Sequence, residues 1–258
     1  MTLELTNRCV LITGASSGIG EACARAFARE GCRPVLVARR EERLEKLASR
    51  LKSEHGHDVE FAGLDVRDRE AVQAWAENRA GKGPDIEILI NNAGLSRGID
   101  PLHKGDIADW EEMIDTNVKG LLYVTRAILP GMVDRGHGHV INIGSIAGHE
   151  VYPGGNVYCA TKHAVTALNR GLAIDTLSTG VRVSSVDPGM VETEFSVVRF
   201  HGDRDRADSV YTGLDPLTPE DVADAVLFCA TRPPHANVRE MILMPSAQAA
   251  AVHAHRTS

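Results

Sequence analysis

Apolar residues along this chain fall into short continuous runs, separated by stretches in which they recur every three or four positions. The run Cys9 to Thr13 predicts a strand. The stretch after it places Ile19, Ala22, Cys23, Ala26 and Phe27 at i, i+3, i+4, i+7 and i+8, the stripe of an amphipathic helix. A second strand, Val35 to Ala38, leads into a charged helix with Leu44, Leu47, Ala48 and Leu51 on one face, and apolar runs return at Val59 to Leu64 and Ile86 to Asn91. Val118, Leu121, Leu122, Thr125 and Ile128 form another helical stripe, and Val140 to Ile143 reads as a short buried strand. A helix over Asn156 to Leu177 turns Ala160, Thr161, Ala164, Val165, Leu168 and Leu172 inward. The strand Val181 to Val186 stops at Pro188-Gly189, since proline has no amide hydrogen for a ladder. Strands alternating with amphipathic helices predict an α/β fold with a doubly wound parallel sheet covered on both faces.

Between Met190 and Pro216 the periodicity fades and charges multiply, which fits either a loop segment beside a site or a plain surface excursion. Thr218-Pro219-Glu220-Asp221 starts a further helix, with threonine as cap, proline in the first turn and aspartate closing a capping box. The tail, Pro245 to Ser258, carries His253, His255 and Arg256 and is expected to fray.

A hydrophobic content of 43% over 258 residues, without a shift in composition, suffices for one core, so 1–258 is expected to form a single domain. The net charge of -7 has the wrong sign for phosphodiester backbones or anionic lipid, which excludes nucleic acid and membrane surfaces as partners. No apolar run approaches the ~18 residues of a membrane helix. Met1-Thr2-Leu3-Glu4 lacks the basic and apolar parts of a signal peptide, so a cytoplasmic location is expected. Cys9, Cys23, Cys32, Cys159 and Cys229 contain no CxxC pair and are expected as buried thiols. The histidines show no metal-ligand spacing, His137 and His139 read as turn residues between glycines, and no metal is assigned.

Candidate chemistry begins at the first strand-helix junction, Thr13-Gly14-Ala15-Ser16-Ser17-Gly18-Ile19-Gly20. There the backbone amides and the helix dipole can hold a pyrophosphate, and Gly14, Ser16, Ser17, Gly18, Ile19 and Gly20 are the candidate contacts. The spacing is G-x3-G-x-G, not GxGxxG, and its place after the first strand is what favours a nucleotide. The second strand ends Val37-Ala38-Arg39-Arg40, with two guanidinium groups where an NAD site would carry a carboxylate. Arg39 and Arg40 suit a 2′-phosphate, and hence NADP(H), unless they merely open the next helix and pair with Glu41, Glu42 and Glu45.

Tyr158 and Lys162 stand four apart on the predicted helix and leave it on one face. An ammonium beside a phenol favours the phenolate and is expected to lower its pKa, as acid-base work near neutrality requires; an exposed pair with no such role is the alternative. Ser145, at the end of the preceding strand, is placed to hydrogen-bond a reacting oxygen.

With these motifs in order, the sequence resembles the short-chain dehydrogenase/reductase family across nearly its whole length. The match comprises Thr13 to Gly20, Asn91-Asn92-Ala93-Gly94, Asn117, Ser145, Tyr158, Lys162 and Pro188-Gly189. The resemblance implies a single-domain Rossmann-type fold and a relay in which Tyr158 protonates the substrate oxygen and Ser145 orients it. Lys162 would bind the nicotinamide ribose and tune the tyrosine, and Asn117 would hold a linking water. It further implies that Asp65 and Val66 flank the adenine, that Asn91, Ala93, Gly94, Pro188, Gly189 and Val191 line the cofactor, and that Thr193 meets the carboxamide. A homotetramer with tails near neighbouring subunits is implied as well.

Within the family, Met113 to Asn117, Gly154 to Tyr158 and Glu194 to Phe200 resemble the branch acting on short 3-hydroxy acids such as L-serine and 3-hydroxypropionate. NADP-dependent sulfoacetaldehyde reductases are similar over the same stretches. Both imply a small anionic aldehyde and its alcohol as substrate. Arg199 is the candidate partner of the anion and Tyr152 an added hydroxyl donor, while a surface Arg199 facing Asp203 or Asp205 is the alternative. A ketoreductase for a larger apolar carbonyl and a non-catalytic NADP-sensing protein remain open as functions.

Overall fold

In the computed structural model, which describes residues 3–257, seven strands form one sheet: β1 (Cys9–Thr13), β2 (Arg33–Ala38), β3 (Glu60–Gly63), β4 (Ile86–Asn91), β5 (Gly138–Ile143), β6 (Val181–Pro188) and β7 (Glu240–Leu243). The order is β3-β2-β1-β4-β5-β6-β7, and every neighbouring pair is parallel. Helices α1 (Gly18–Arg29), α2 (Glu41–His55) and α9 (Pro219–Ala230) cover one face. Helices α3 (Arg69–Arg79), α5 (Leu121–Arg135) and α6 (Asn156–Asp175) cover the other, with α4 (Ile107–Ile114) against α6. Two short helices, α7 (Phe195–Arg199) and α8 (Arg204–Ser209), occupy the segment where periodicity fades. This is the doubly wound parallel architecture that the alternating pattern predicts.

The central strands read as continuous apolar runs because both of their faces are buried. Val10 and Ile12 of β1 pack into the core beneath α1 and α9, while Cys9 and Leu11 enter the core on the opposite face. Phe27, Leu44 and Leu51 are fully buried on the first side, each contributing about 1.5–3 kcal/mol relative to exposure. Strand order reverses between β1 and β4, so the connections after these strands diverge and open a crevice at their carboxyl ends.

Several boundaries differ from the sequence expectation. The capping box at Thr218 and Asp221 forms, and all five cysteines are buried. However, β5 begins at Gly138, which makes His139 a buried strand residue and not a turn residue; its Nε2 lies 2.8 Å from Ser184 Oγ, and desolvation holds its pKa well below the usual value. Helix α6 ends at Asp175 and buries Tyr158, Thr161, Lys162, Val165 and Asn169, leaving Ala160 exposed. Its inward stripe is set by these functional and polar residues more than by the alanines. Strand β7 is a half-buried edge strand of four residues, too short for periodicity to reveal. The tail does not fray: Met190 N donates to Gln248 Oε1 (2.8 Å), and Arg256 Nη2 and Nη1 donate to the carbonyls of Val210 (2.9 Å) and Thr212 (2.6 Å). It thereby fastens the segment after β6. Among the described residues no helix is long and apolar enough to cross a membrane.

Because Phe27 fills the layer between α1 and the sheet, Phe27→Ala is expected to destabilise the protein by about 3–5 kcal/mol in urea unfolding. A loss below about 1 kcal/mol would contradict this packing.

Candidate active site

Thr13, the last residue of β1, ties the two halves of the sheet together where they diverge. Its Oγ1 donates to the Ile90 carbonyl (3.3 Å) and accepts from the amides of Asn92 and Ala93 (3.0 Å each). Asn92 Nδ2 returns a bond to the Thr13 carbonyl at 2.9 Å. The chain then turns through Gly14, whose φ of 67° is left-handed and where a Cβ would stand 2.8 Å from Asn92 Nδ2. Gly18 is also left-handed, with φ 53°. The N-cap residue of α1, Ser17, makes no side-chain cap, so the first amides of the helix remain open to a ligand.

From this turn a cleft of about 310 Å³ runs along the carboxyl ends of the strands. That volume suits a small-molecule site. Gly14, Ser16, Ser17, Gly18 and Ile19 form one wall; Arg39, Arg40, Asp65 and Val66 close one end. Ala93 and Gly94 line it centrally, and Ser145, Tyr158, Lys162, Pro188, Gly189, Val191 and Thr193 complete it.

Five expected residues lie off the cleft lining. Gly20 sits beneath the turn, where a Cβ would run into the Gly14 carbonyl, so its part is close packing. Asn91 shares a face with Leu89 by strand alternation and points toward α5, donating to Thr125 Oγ1 and Asn142 Oδ1 at 2.9 Å. Asn92 lines the cleft in its stead. Asn117 lies in a π-helical turn, Asp115–Gly120, and its side chain clamps Leu95: Oδ1 accepts from Leu95 N and Nδ2 donates to Leu95 O, both at 2.8 Å. Tyr152 and Arg199 stand beside Tyr158, next to the lining and not in it. Among residues the sequence reading missed, Thr116, Glu194 and Phe195 line the cleft. Adjacency to Asn117 and Thr193 was the available signal. Thr116 Oγ1 is buried without a hydrogen-bond partner.

The basic end does not pair with the glutamates of α2 nearest in sequence. Arg39 faces Glu112 at 3.7 Å, and Arg40 donates to Ser16 Oγ (3.2 Å), Ser17 Oγ (2.7 Å) and Glu194 Oε2 (2.8 Å). Arg43 joins the same Glu194 carboxylate at 2.9 Å. Residues 191–195 thus reach across the mouth of the cleft to the glycine turn.

At the other end, Tyr158 and Lys162 lie one helical turn apart on the buried side of α6. Lys162 Nζ donates to the Ile143 carbonyl at 2.8 Å. Burial pushes its pKa down to about 8, opposed by the Asp187 carboxylate. Asp187 is itself wholly buried, bonded by His149 Nε2 (2.7 Å) and Ser185 Oγ. Ser145 Oγ accepts from Ala147 N at 3.1 Å, and its hydroxyl is directed to the Tyr158 side of the cleft. The expectation of a lowered phenol pKa needs correcting for this state of the protein. Burial raises Tyr158 above the ordinary value, and Arg199, followed by the Ser145 hydroxyl, pulls the other way.

Arg199 projects from the end of α7 into an aromatic cage. Its guanidinium carbon lies 5.1 Å from the centroid of Phe195, 5.6 Å from Tyr158 and 5.9 Å from Tyr152. Nη2 donates to Tyr152 Oη at 3.1 Å, and Nε is buried without a partner. Among the described residues it pairs with neither Asp205 nor Asp203, and the latter caps α8.

The sequence model of the short chain dehydrogenase family matches residues 8–203. The NADP-dependent 3-hydroxy acid dehydrogenase YdfG of Escherichia coli O6:H1 is 48% identical over 249 residues, covering 96% of this chain and 99% of that protein. Sulfoacetaldehyde reductase 2 of Chromohalobacter salexigens is 46% identical over 241 residues, covering 93% and 95%. The closed form of a serine dehydrogenase complexed with NADP+ superposes with a TM-score of 0.90 at 47% identity, covering 96% of this chain and all of that one.

The depressed lysine makes a testable stability signature. Unfolded, Lys162 keeps its proton up to about 10.5; folded, it releases it near 8, so this residue's contribution to stability rises with pH across that window. Lys162→Met is therefore expected to be more stable than the wild type by about 1–3 kcal/mol at neutral pH, with the advantage fading toward pH 10.5. Urea unfolding at several pH values reads this directly, and a pH-independent difference would contradict it.

Proposed function

The chain belongs to the short chain dehydrogenase family, and from that premise we propose that it interconverts a small anionic aldehyde and its alcohol. It is an oxidoreductase of CH–OH groups that uses NADP(H). The residues present fit that cofactor: the glycine turn leaves no room for a Cβ at Gly14, α1 presents uncapped amides, and no carboxylate ends β2. We assign the pyrophosphate to the turn with Ser16 and Ser17, the 2′-phosphate to Arg39 and Arg40, and the adenine to Asp65 and Val66. Lys162 and Tyr158 would hold the nicotinamide ribose, with Ala93, Gly94, Pro188, Gly189, Val191 and Thr193 along the rest. NADP(H), when bound, supplies or accepts the hydride.

The protein's own part is the proton. In reduction the Tyr158 hydroxyl gives its hydrogen to the substrate oxygen, while the Ser145 hydroxyl donates to the same oxygen and orients it. Lys162 stabilises the phenolate left behind, and Asn117 keeps the Leu95 loop in place at the cleft. Ser145, Tyr158 and Lys162 converge on one cleft, which a non-catalytic nucleotide sensor would not need.

The observation that carries the substrate reading is Arg199: a half-buried guanidinium beside Tyr158 with no carboxylate paired to it among the described residues. Such a group is costly unless an anion completes it, and Tyr152 Oη offers a further polar contact. The chemistry fits malonic semialdehyde and 3-hydroxypropionate, an L-serine type acid, or sulfoacetaldehyde and isethionate. A ketoreductase for large apolar carbonyls has no use for the charge. Exposed apolar side chains on α4, α5 and α6, such as Ile107, Leu122 and Ile174, with Leu177 just beyond α6, support a homotetramer.

Steady-state rates with NADPH and NADH on malonic semialdehyde, sulfoacetaldehyde and propanal test this reading. Arg199→Ala is expected to raise KM for both anions roughly 10- to 100-fold, as for a lost charge-assisted hydrogen bond, and to leave KM for propanal nearly unchanged. An unchanged KM for the anions would remove the substrate assignment.

A further inference from the structure

Two cations face the Tyr158 ring, Lys162 Nζ at 6.0 Å from its centroid and the Arg199 guanidinium carbon at 5.6 Å. The remaining groups around the phenol are Ser145 from the turn after β5, the Cys159 thiol of α6 and Tyr152 from the loop before it. Phe195 of α7 stands edge-on, its centroid 5.6 Å away. The carboxylate that acts on Lys162 is Asp187 of β6, bonded by His149. Arg199 has only neutral hydrogen-bond company: Nη2 bonds Tyr152 Oη, and Nε has no partner.

The two cations are not equivalent. Burial brings Lys162 down to about 8, so near neutral pH it is close to losing its charge, whereas a guanidinium keeps its charge throughout. Of the charges acting on the phenol, Arg199 opposes the effect of burial most.

We propose that Arg199 acts on Tyr158 as a second, permanent cation, so that an anion bound to its guanidinium changes how readily the phenol ionises as well as how tightly substrate binds. This rests on the reading of the substrate as an anion. With the site empty, the guanidinium favours the phenolate. When a carboxylate or sulfonate pairs with Arg199, the positive field over the ring falls and the phenol retains its hydrogen. That is the form able to donate to a carbonyl oxygen. In this second capacity Arg199 is a positioning residue of charge, acting through Tyr158 and not on the reacting atoms.

The test is the pH dependence of kcat/KM for oxidation of an uncharged alcohol, propan-1-ol, by the NADP+-loaded enzyme, where the rate rises as Tyr158 ionises. In Arg199→Gln the rising limb is expected to move upward by about one pH unit or more, and in Arg199→Lys to stay within about half a unit of the wild type. A limb that stays put in Arg199→Gln, while KM for 3-hydroxypropionate rises, overturns this inference and leaves the substrate reading intact. A limb that moves while that KM is unchanged supports the action on Tyr158 and removes the anionic substrate. A second measurement needs no change at Arg199: tyrosinate absorbance of the wild type minus that of Tyr158→Phe, both with NADP+, titrated with and without propionate. A higher midpoint with propionate supports the coupling; equal midpoints overturn it.

Discussion

A lysine ammonium buried against a backbone carbonyl, with its balancing carboxylate set behind it and not in contact, is the constraint around which this protein is arranged. Lys162 donates to Ile143, and Asp187 acts on it from the far side while engaged with His149 and Ser185. Water would hold this charge more comfortably, and the depressed pKa records that cost. The ammonium lines the cleft, where the proposed reading has it meet a polar ligand. Arg199 repeats the theme near the same Tyr158 ring, a second cation enclosed by aromatic rings and left without an ionic partner among the described residues. Both charges look toward one phenol.

The sheet makes this placement possible. Its strands are apolar on both faces, so polar chemistry is driven to their carboxyl ends, and the reversal of order between β1 and β4 opens the space there. Thr13, Asn92 and Gly14 knit that gap at one end, the clamp of Asn117 on Leu95 steadies its middle, and the segment after β6 spans its mouth through Glu194. The tail secures that same segment through Arg256 and Gln248. Loop residues thus gain order from partners far off in sequence.

What could be read from the chain alone follows from this division. The first six strands, the glycine turn, the paired arginines and the Tyr158-Lys162 spacing are local patterns legible without coordinates, whereas the four-residue β7 is not. The direction of Asn91 depends on which face of β4 it shares with Leu89, and Gly20 on a carbonyl six residues back, neither of which a motif states. Glu194 meets Arg40 across 154 positions, and Arg199 meets Tyr158 only once α7 folds onto α6, so the electrostatics of the site were hidden. The phenol illustrates the point: spacing suggests an activating lysine, whereas burial raises the group and the most effective opposing charge comes from another element.

In the proposed reaction the Tyr158 hydroxyl carries the proton. The most direct measurement is kcat/KM of Tyr158→Phe with NADPH and malonic semialdehyde, alongside its NADPH affinity. A fall of roughly 10²- to 10⁴-fold in turnover with NADPH affinity within about tenfold of the wild type, as for one lost ribose hydrogen bond, is the predicted result. Near-native turnover would contradict it.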